Sequence, residues 1–329
     1  MSRARLLAGL VAAALCLWVI ALVFSPSGGE AAPAQRFTSS QQCKECHAEA
    51  WREWSASAHA NSWVNPDVRA LSNDFSNTDC IDCHAPRPIF ETGIGKRVLP
   101  RSSRRSEGVD CISCHQLPGG GVAGSIDDPR AACRPVAKVE LTREEFCAGC
   151  HDQHQTVQQW ATSQYAEKGI GCLDCHMPFR GADPRNGRDH RCLGGHDIDL
   201  VRTAVELRVV REEGGLVVEV ENVGAGHSFP TDERSRAADV FWRPRAAGGT
   251  EPGPWRHLYR FRSPYRYEVD VPETLLEVHG TRRIPLDDPE VGGPLEVALF
   301  YKLSPYYEDP ENPDPEREAR LVQRVEVEP

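Results

Sequence analysis

The spacing of apolar and polar residues changes partway along the 329-residue chain. Alternation with a period of two runs from Val205 to Val209 and from Leu216 to Val220, on either side of Gly214-Gly215. This pattern predicts a β-hairpin. Three later apolar runs predict further strands, at residues 265–271, 295–303 and 321–327. We therefore expect residues 204–329 to form a small all-β, sandwich-like domain.

Upstream of this region the apolar spacing is helical, and each helical segment is short. The apolar residues from Trp51 to Ala58 fall on one helix face and predict a helix that ends near His59. The sequence Thr142-Arg-Glu-Glu145 is typical of a capping box and predicts the start of another helix. We expect this second helix to run to a stop at Gly169. Residues 37–203 are therefore expected to be mainly α, with long irregular connections.

The chain begins with arginines followed by an uncharged segment. Arg3 and Arg5 precede a run of 19 uncharged residues, Leu6–Phe24. That length exceeds the roughly 7–15 residues of a secretory signal core and falls within the roughly 17–25 residues of a membrane-spanning helix. We interpret residues 1–36 as a membrane anchor and linker, which places the remainder on the outer, periplasmic face of the cytoplasmic membrane. Cleavage near Ala32-Pro33-Ala34 is the alternative, and it would release a secreted periplasmic protein.

Ten of the thirteen cysteines fall in five copies of one short frame, Cys-x-x-Cys-His. With Cys and His each at about 4% of residues, chance predicts on the order of 0.02 such frames in this chain. The residues of the five frames are Cys43, Cys46 and His47; Cys80, Cys83 and His84; Cys111, Cys114 and His115; Cys147, Cys150 and His151; and Cys172, Cys175 and His176. Two thiols at this spacing can form thioethers to one porphyrin while the following His binds its iron, so the frames predict five covalently attached haem c groups. Disulfides, a thioredoxin-like pair and zinc sites do not require a His after every pair.

Three cysteines lie outside these frames. Cys16 falls within the uncharged N-terminal run, and we interpret it as an ordinary apolar residue. Cys133 and Cys192 either pair with one another in an oxidising compartment or are two separate buried thiols. The sequence leaves both alternatives open.

The frames are too closely spaced for a conventional hydrophobic core. All five lie between Cys43 and His176, which leaves about one haem per 30 residues. We expect the haem groups themselves to supply much of the buried apolar surface. The predicted fold is therefore mainly α, an irregular multihaem domain with a haem-packed core, followed by the small all-β domain.

A haem iron has a second axial position. A His or Met ligand there gives an electron carrier, whereas an empty position allows chemistry at the iron. Seven histidines lie outside the frames: His59, His154, His190, His196, His227, His257 and His279. Five irons need partners, which favours ligation by the first five. His154 follows His151 by three residues on the same helix face, so it would have to serve a different haem, and a solvated helix histidine is the alternative. The last two lie among predicted strands, where surface or packing roles are expected.

The composition restricts the classes of partner. A formal net charge of −10 argues against nucleic acid, because phosphate binding needs a basic surface. An acidic surface instead favours protein partners that have a basic docking patch. Hydrophobic residues make up 40% of the chain, so we expect a soluble globular body behind the N-terminal segment.

Four stretches of the sequence resemble a known family. They are Trp54-Ser-Ala-Ser-Ala-His59-Ala after the first frame, Cys172-Leu-Asp-Cys-His-Met-Pro178, the stretch from His190 to Asp197 that ends in Gly-Gly-His-Asp, and Gly226-His-Ser-Phe-Pro-Thr231. From about Ser39 to Thr231 the chain is similar to the multihaem cytochromes related to cytochrome c-554 and hydroxylamine oxidoreductase. The resemblance implies bis-His haems stacked in close pairs. It also implies distal ligand roles for His59, His190, His196 and His227.

Three functions fit these features. The leading hypothesis is a membrane-anchored electron carrier whose bis-His haems connect a quinol-linked membrane module to a periplasmic oxidoreductase. The second is a reductase for a small nitrogen or sulfur oxyanion, which needs one open iron and could attract anions with Arg101, Arg104 and Arg105. The third is a structural subunit of an extracellular haem filament. An open axial position distinguishes the second hypothesis from the first.

Overall fold

The structure is a computed structural model that describes residues 35–152, 155–231, 234–245, 251–265, 267–287 and 293–329. Arg36–Pro329 form one compact unit. The regular elements in the first part of this unit are mainly helices and those in the second part mainly antiparallel strands, so the chain combines helical and β structure as expected. One helix ends at Ala204 and a strand starts at Val205, where the sequence predicts a boundary. The division into separate domains stays a prediction.

The helices are short. Those in the described residues are α1 Ala48–Ser55, α2 Ala58–Asn61, α3 Pro66–Leu71, α4 Asp79–His84, α5 Ile89–Thr92, α6 Cys111–His115, α7 Glu144–His151, α8 Thr156–Ala161, α9 Gln164–Glu167, α10 Cys172–His176, α11 Ile198–Ala204 and α12 Pro315–Glu318. None of these exceeds eight residues. Helices this short gain little stability from their own backbone hydrogen bonds, so tertiary contacts must hold them.

The helix predicted to end near His59 is two helices. α1 ends at Ser55, and α2 starts after Ser57, whose hydroxyl accepts a hydrogen bond from the Ala60 N–H at 3.2 Å. A serine at this position favours a new helix start, because its side chain satisfies a backbone N–H that would otherwise lack a partner. His59 therefore lies in α2.

The capping box predicted at Thr142 is wrong. The Thr142 hydroxyl donates to the carbonyl of Val139 at 2.8 Å, and Arg143 precedes α7 without a side-chain hydrogen bond to the helix. The single helix predicted to reach Gly169 is also wrong, because the segment is divided into α7, α8 and α9. Gln155 adopts a left-handed conformation, with φ of 62°, directly before α8. Local hydrogen bonds at such breaks compete with helix continuation.

The strands form three sheets. They are β1 Val122–Gly124, β2 Pro135–Ala137, β3 Val205–Glu212, β4 Gly215–Asn222, β5 Ala237–Pro244, β6 Arg256–Phe261, β7 Thr281–Leu286, β8 Leu295–Lys302 and β9 Arg320–Val327. β1 and β2 form a small parallel pair, and the remaining strands form antiparallel sheets in the orders β3-β4-β7 and β6-β5-β8-β9. The predicted hairpin is confirmed, since β3 pairs with β4 along its whole length.

The strand predicted at residues 265–271 is wrong. The Glu268 carboxylate accepts the Tyr265 N–H at 2.7 Å and pairs with Arg262, which fixes this segment as a turn. The strands predicted at 295–303 and 321–327 are confirmed as β8 and β9. Alternation of apolar and polar residues does not predict β5. Its first six residues are all buried, and a strand covered on both faces lacks that alternation.

Both antiparallel sheets contribute to one hydrophobic core. Val218 and Val220 of β4, Val240 of β5 and Leu299 of β8 are fully buried in it. The described part of the helical region has two smaller clusters with three buried hydrophobic residues each. Side-chain packing is therefore much more extensive in the strand region than around the Cys-x-x-Cys-His frames.

The predicted membrane segment, Leu6–Phe24, lies outside the described residues, as does Cys16. Among the residues that the structure does describe, no helix combines the length and the apolar character that crossing a membrane requires. Membrane attachment stays a prediction.

Candidate functional site

Every Cys-x-x-Cys-His frame lies at or within a short helix. In the second to fifth frames, both cysteines and the histidine belong to one helix, α4, α6, α7 and α10 in turn. The first frame differs, since Cys43 ends a 3-10 helix and His47 precedes α1. Side chains three and four positions apart lie on one helix face. The two thiols and the imidazole of a helical frame therefore project in the same direction.

Asp110 fixes the start of the third frame. Its carboxylate accepts the Ser113 N–H at 2.8 Å, and the Ser113 hydroxyl accepts the Asp110 N–H at 3.3 Å. Arg101 and Arg104 both pair with this buried carboxylate. The Arg105 guanidinium lies over the ring of Trp63 at 5.2 Å. Arg101 and Arg104 thus neutralise an internal carboxylate, which argues against their predicted role in attracting anions.

The frames lie near one another. Three pairs of thiols from different frames are close enough for one thiol to shift the pKa of the other: Cys43 with Cys111, Cys83 with Cys150, and Cys147 with Cys172. These pairs join the first frame to the third, the second to the fourth, and the fourth to the fifth. Cys114 of the third frame packs on the same apolar cluster as Cys83 and Cys150. All five frames therefore belong to one continuous group.

Three frame histidines face three of the spare histidines. The ring centres are 6.0 Å apart in the pair His59–His151, 6.4 Å in His115–His190 and 6.3 Å in His176–His227. A bond between imidazole and a metal ion is about 2 Å long, so two imidazoles on opposite sides of one iron place their ring centres about 6 Å apart. The three pairs have the spacing that a shared iron requires.

Backbone carbonyls orient four of these six imidazoles. The Nδ1 atoms of His115 and His176 lie 2.8 Å and 2.6 Å from the carbonyls of Ala123 and Leu193. Among the histidines outside the frames, Nδ1 of His190 lies 2.8 Å from the Arg188 carbonyl, and Nδ1 of His227 lies 2.9 Å from the Ser228 carbonyl. A carbonyl only accepts, so Nδ1 carries the proton and Nε2 keeps the lone pair that a metal ion needs. The donor set fits haem iron.

Five of the six paired histidines are half-buried and His151 is exposed, and partial burial favours the neutral imidazole. Desolvation, followed by the neighbouring His151 and His176, lowers the pKa of His59 to about 4. Burial is also the main cause of the lowered pKa values of His115 and His227. Neutral imidazole is the form that binds a metal ion. The local electrostatics therefore agree with the hydrogen bonding.

The remaining two frame histidines have other surroundings. His84 directs Nδ1 to the Ser62 carbonyl at 2.7 Å, and its ring meets the edge of Phe75 with ring centres 5.4 Å apart. His47 precedes α1 and is close enough to His115 to lower the pKa of that imidazole. Among the described residues, no spare histidine forms a ring contact with either of them like those of the three pairs.

Among the described residues, His196 forms no ring contact with a frame histidine like those of the three pairs. His196 is exposed, and its Nε2 lies 3.4 Å from a guanidinium nitrogen of Arg236, which donates to it. Partial desolvation of the ring, Arg236 and Arg320 lower the pKa of His196, in that order. His154 lies outside the described residues. The ligand roles predicted for these two histidines stay predictions.

His257 has a more specific environment than the sequence indicated. Its Nε2 lies 3.3 Å from the carboxylate of Asp239, which is fully buried in β5 and is also bound by Arg260 and by the Tyr307 hydroxyl. His279 stacks on Tyr165 with ring centres 5.7 Å apart, which agrees with a packing role. The Asp239 cluster has no short sequence signature, because its members come from three separate segments.

Cys133 and Cys192 are both free thiols in the structure. Cys192 adopts a left-handed conformation and its thiol donates to the His190 carbonyl at 3.5 Å. It also lies near Cys114, whose pKa it raises after the larger effect of burial. In the structure Cys133 and Cys192 are two separate, half-buried thiols and do not form a disulfide.

Comparisons with known proteins show which proteins this chain is similar to. Residues 42–116 match the family model described as cytochrome c554 and c-prime. The chain is 23% identical over 168 residues to a protein named cytochrome c-552 from Aliarcobacter butzleri, an alignment that covers 41% of this chain and 33% of that protein. The chain thus spans about a third of the length of this curated relative. A penta-heme cytochrome c552 from Thermochromatium tepidum shares its fold, with a TM-score of 0.61, 19% identity, and coverage of 88% of this chain and 98% of that one.

The frames, the facing imidazoles and these matches lead to one conclusion. The chain is a multihaem c-type cytochrome that binds haem c covalently through its Cys-x-x-Cys-His frames. Three frames have a second histidine already placed across from the frame histidine. All three facing histidines are predicted from the sequence as ligand candidates, and the structure adds which frame each one faces.

Proposed function

We propose that this protein is a periplasm-facing electron carrier with five haem c groups, closed on both axial sides by histidine. The observation that carries the proposal is the set of three histidine pairs with ring centres 6.0–6.4 Å apart. An iron with two imidazole ligands has no position for a substrate, so bis-His sites are suited to electron transfer. Bound haem c supplies the one-electron Fe(III)/Fe(II) couple.

The closeness of the frames supports transfer through the whole array. A thiol of the third frame lies near one of the first, and thiols of the fourth frame lie near thiols of the second and the fifth. Haem groups attached to neighbouring thiols would themselves be close neighbours. Because the second, third and fourth frames also border one apolar cluster, no frame is isolated from the rest.

The carrier needs ligands for the irons of the first and second frames as well. We assign these roles to His154 and His196, since five irons need five partners and both lie between the fourth frame and the strand region. Partner proteins would be a quinol-linked membrane module on one side and a periplasmic oxidoreductase on the other. The N-terminal segment would hold the protein at the membrane, and the net charge of −10 favours partners with basic docking patches.

The second candidate is a reductase for a small nitrogen or sulfur oxyanion at one open haem. One observation favours it, because the ring contact of His84 is with the apolar Phe75. An apolar neighbour at the second frame could leave that iron without a sixth ligand. The ion pairs of Arg101 and Arg104 with Asp110 argue against a reductase, because these two arginines are then not available to attract an anionic substrate.

Carbon monoxide binding combined with a reductase assay separates the two candidates. The dithionite-reduced protein should show no spectral change with carbon monoxide, and reduced methyl viologen should not be oxidised faster when nitrite, hydroxylamine or tetrathionate is added. Binding of about one carbon monoxide per protein, together with turnover of one of these substrates, would contradict the carrier and favour a reductase site at the second frame.

A further inference from the structure

The structure points to a residue that sets the position of a distal ligand from a distant part of the chain. His190 lies in the loop that follows the fifth frame, and it faces His115 of the third frame with ring centres 6.4 Å apart. Its backbone N–H donates to the Glu53 carboxylate at 2.9 Å. Glu53 belongs to α1, which directly follows the first frame. The Glu53 carboxylate therefore connects the helix that follows the first frame to the loop that follows the fifth frame. That loop contains His190, the histidine that faces the third frame.

Both oxygens of Glu53 have partners in that loop. Arg180 donates to Oε1 through Nε at 2.7 Å and to Oε2 through Nη2 at 2.6 Å, a two-point contact. The Glu53 side chain is only 11% exposed. Arg180 holds its pKa below the usual value, so the carboxylate is ionised. Charge-assisted hydrogen bonds of this kind are among the stronger ones in proteins.

Arg180 is itself fixed within the loop. Its Nη1 donates to the Asn186 carbonyl at 2.8 Å, and the Asn186 amide donates to the Arg180 carbonyl at 3.1 Å. The loop is closed by the Asp189 N–H, which donates to the Pro178 carbonyl at 2.8 Å. The loop is therefore rigid internally, and Glu53 determines how it is placed against α1.

We propose that Glu53 is a positioning residue for His190, which keeps the Nε2 of that imidazole directed at the iron of the third frame. The inference rests on the proposed bis-His ligation of that iron. Outer contacts of this type commonly fix ligand orientation at metal sites. Without the Glu53 contacts, the loop would retain its own hydrogen bonds but lose its register against α1, and His190 would spend part of its time away from the iron.

The test compares four variants of the full, haem-loaded chain by low-temperature EPR and carbon monoxide binding. H190A identifies the third haem, by the low-spin signal that it loses and the carbon monoxide that it gains. E53A should shift or split that same signal and allow partial carbon monoxide binding, while the other signals stay as in the wild type. E53Q, which keeps the side-chain shape but weakens the contact with Arg180, should show a smaller effect in the same direction.

Glu49→Gln is the matched control. Glu49 lies on the same helix, 3.7 Å from Arg180 but 59% exposed, so its loss of charge should leave every signal unchanged. If H190A opens a haem but the EPR signals of E53Q are identical to those of E49Q, the positioning role is overturned. If H190A leaves all irons low-spin, the ligand assignment of the proposed function fails instead. If E53A does not accumulate with haem, the E53Q comparison decides alone.

Discussion

His176 and His227 face each other with ring centres 6.3 Å apart and ring planes within 14° of parallel. His176 closes the fifth frame, whereas His227 lies between β4 and β5 in the strand region. The strand region therefore reaches the last frame with one of its own side chains. Its role in the proposed carrier is to complete an iron site as well as to cover one end of the helical region.

Replacing His227 with alanine should open one iron. The H227A protein should bind about one carbon monoxide after reduction, because the imidazole that faces His176 is the only change at that site. Visible difference spectra measure the stoichiometry. H279A is the control, since His279 stacks on Tyr165 and lies outside the three pairs. Equal carbon monoxide binding by the two variants would contradict the assignment of His227.

Gly108 controls the position of His59 sterically. A Cβ atom at Gly108 would lie 2.3 Å from the His59 carbonyl oxygen, and the φ of 59° is itself unfavourable for other residues. G108A should therefore displace α2 and open the iron of the fourth frame, since His59 faces His151. Loss of one low-spin EPR signal measures the effect.

The control for this substitution is G214A, at the hairpin turn, where an added Cβ meets no atom within 4 Å. Its EPR spectrum should match that of the wild type. A G108A protein with all of its low-spin signals intact would mean that α2 tolerates the displacement or that His59 is not a ligand of that iron.

Asp239 should be important for the stability of the strand region. D239N leaves the guanidinium of Arg260 and the hydroxyl of Tyr307 without their carboxylate partner. Removing one partner of a buried charged pair lowers the free energy of unfolding by about 3 kcal/mol. Denaturant unfolding followed by far-ultraviolet circular dichroism measures the difference. D270N, at an exposed carboxylate, should unfold like the wild type, and the prediction fails if D239N does so too.

Acid should remove the contribution of Asp239. Burial alone would raise the pKa of this carboxyl, but its hydrogen bonds with His257 and Arg260 outweigh burial and lower the pKa below 3.8. A lowered pKa in the folded state means that the stabilisation is present at pH above the unfolded-state pKa, and is lost as the pH falls through the folded-state value. The stability difference between wild type and D239N should therefore shrink below about pH 4. A constant difference down to pH 2 would contradict this origin.

The frames were predictable because they depend on local chemistry. A Cys-x-x-Cys-His frame is short, and the structure places it on a single helix in four of five cases. His59, His190 and His227 are ligand candidates because of the number of irons that need ligands and because of the family resemblance, and the structure places each one opposite a frame histidine. The identity of the frame that each one faces was not predictable, since His190 lies closer in sequence to the fifth frame and faces the third.

The errors in the fold have two physical causes. The long helix predicted to reach Gly169 is interrupted at Gln155 and again at Ser163, whose hydroxyl accepts the Tyr165 N–H at 3.2 Å. Polar side chains that bond to the nearby backbone outweigh apolar periodicity in segments this short. Burial on both faces similarly removed the alternation that would have identified β5.

The central claim is that three histidine pairs each hold one iron, and low-temperature EPR of the oxidised protein tests it most directly. Parallel imidazole planes split the iron d orbitals more strongly than rotated planes, so the pair with an angle of 14° should give the smallest maximum g value. The pairs at 32° and 45° should follow in that order. The account predicts that H227A, H190A and H59A each convert a different low-spin signal, in that order of g value, to a high-spin signal. Wild-type spectra retained in all three variants would contradict it.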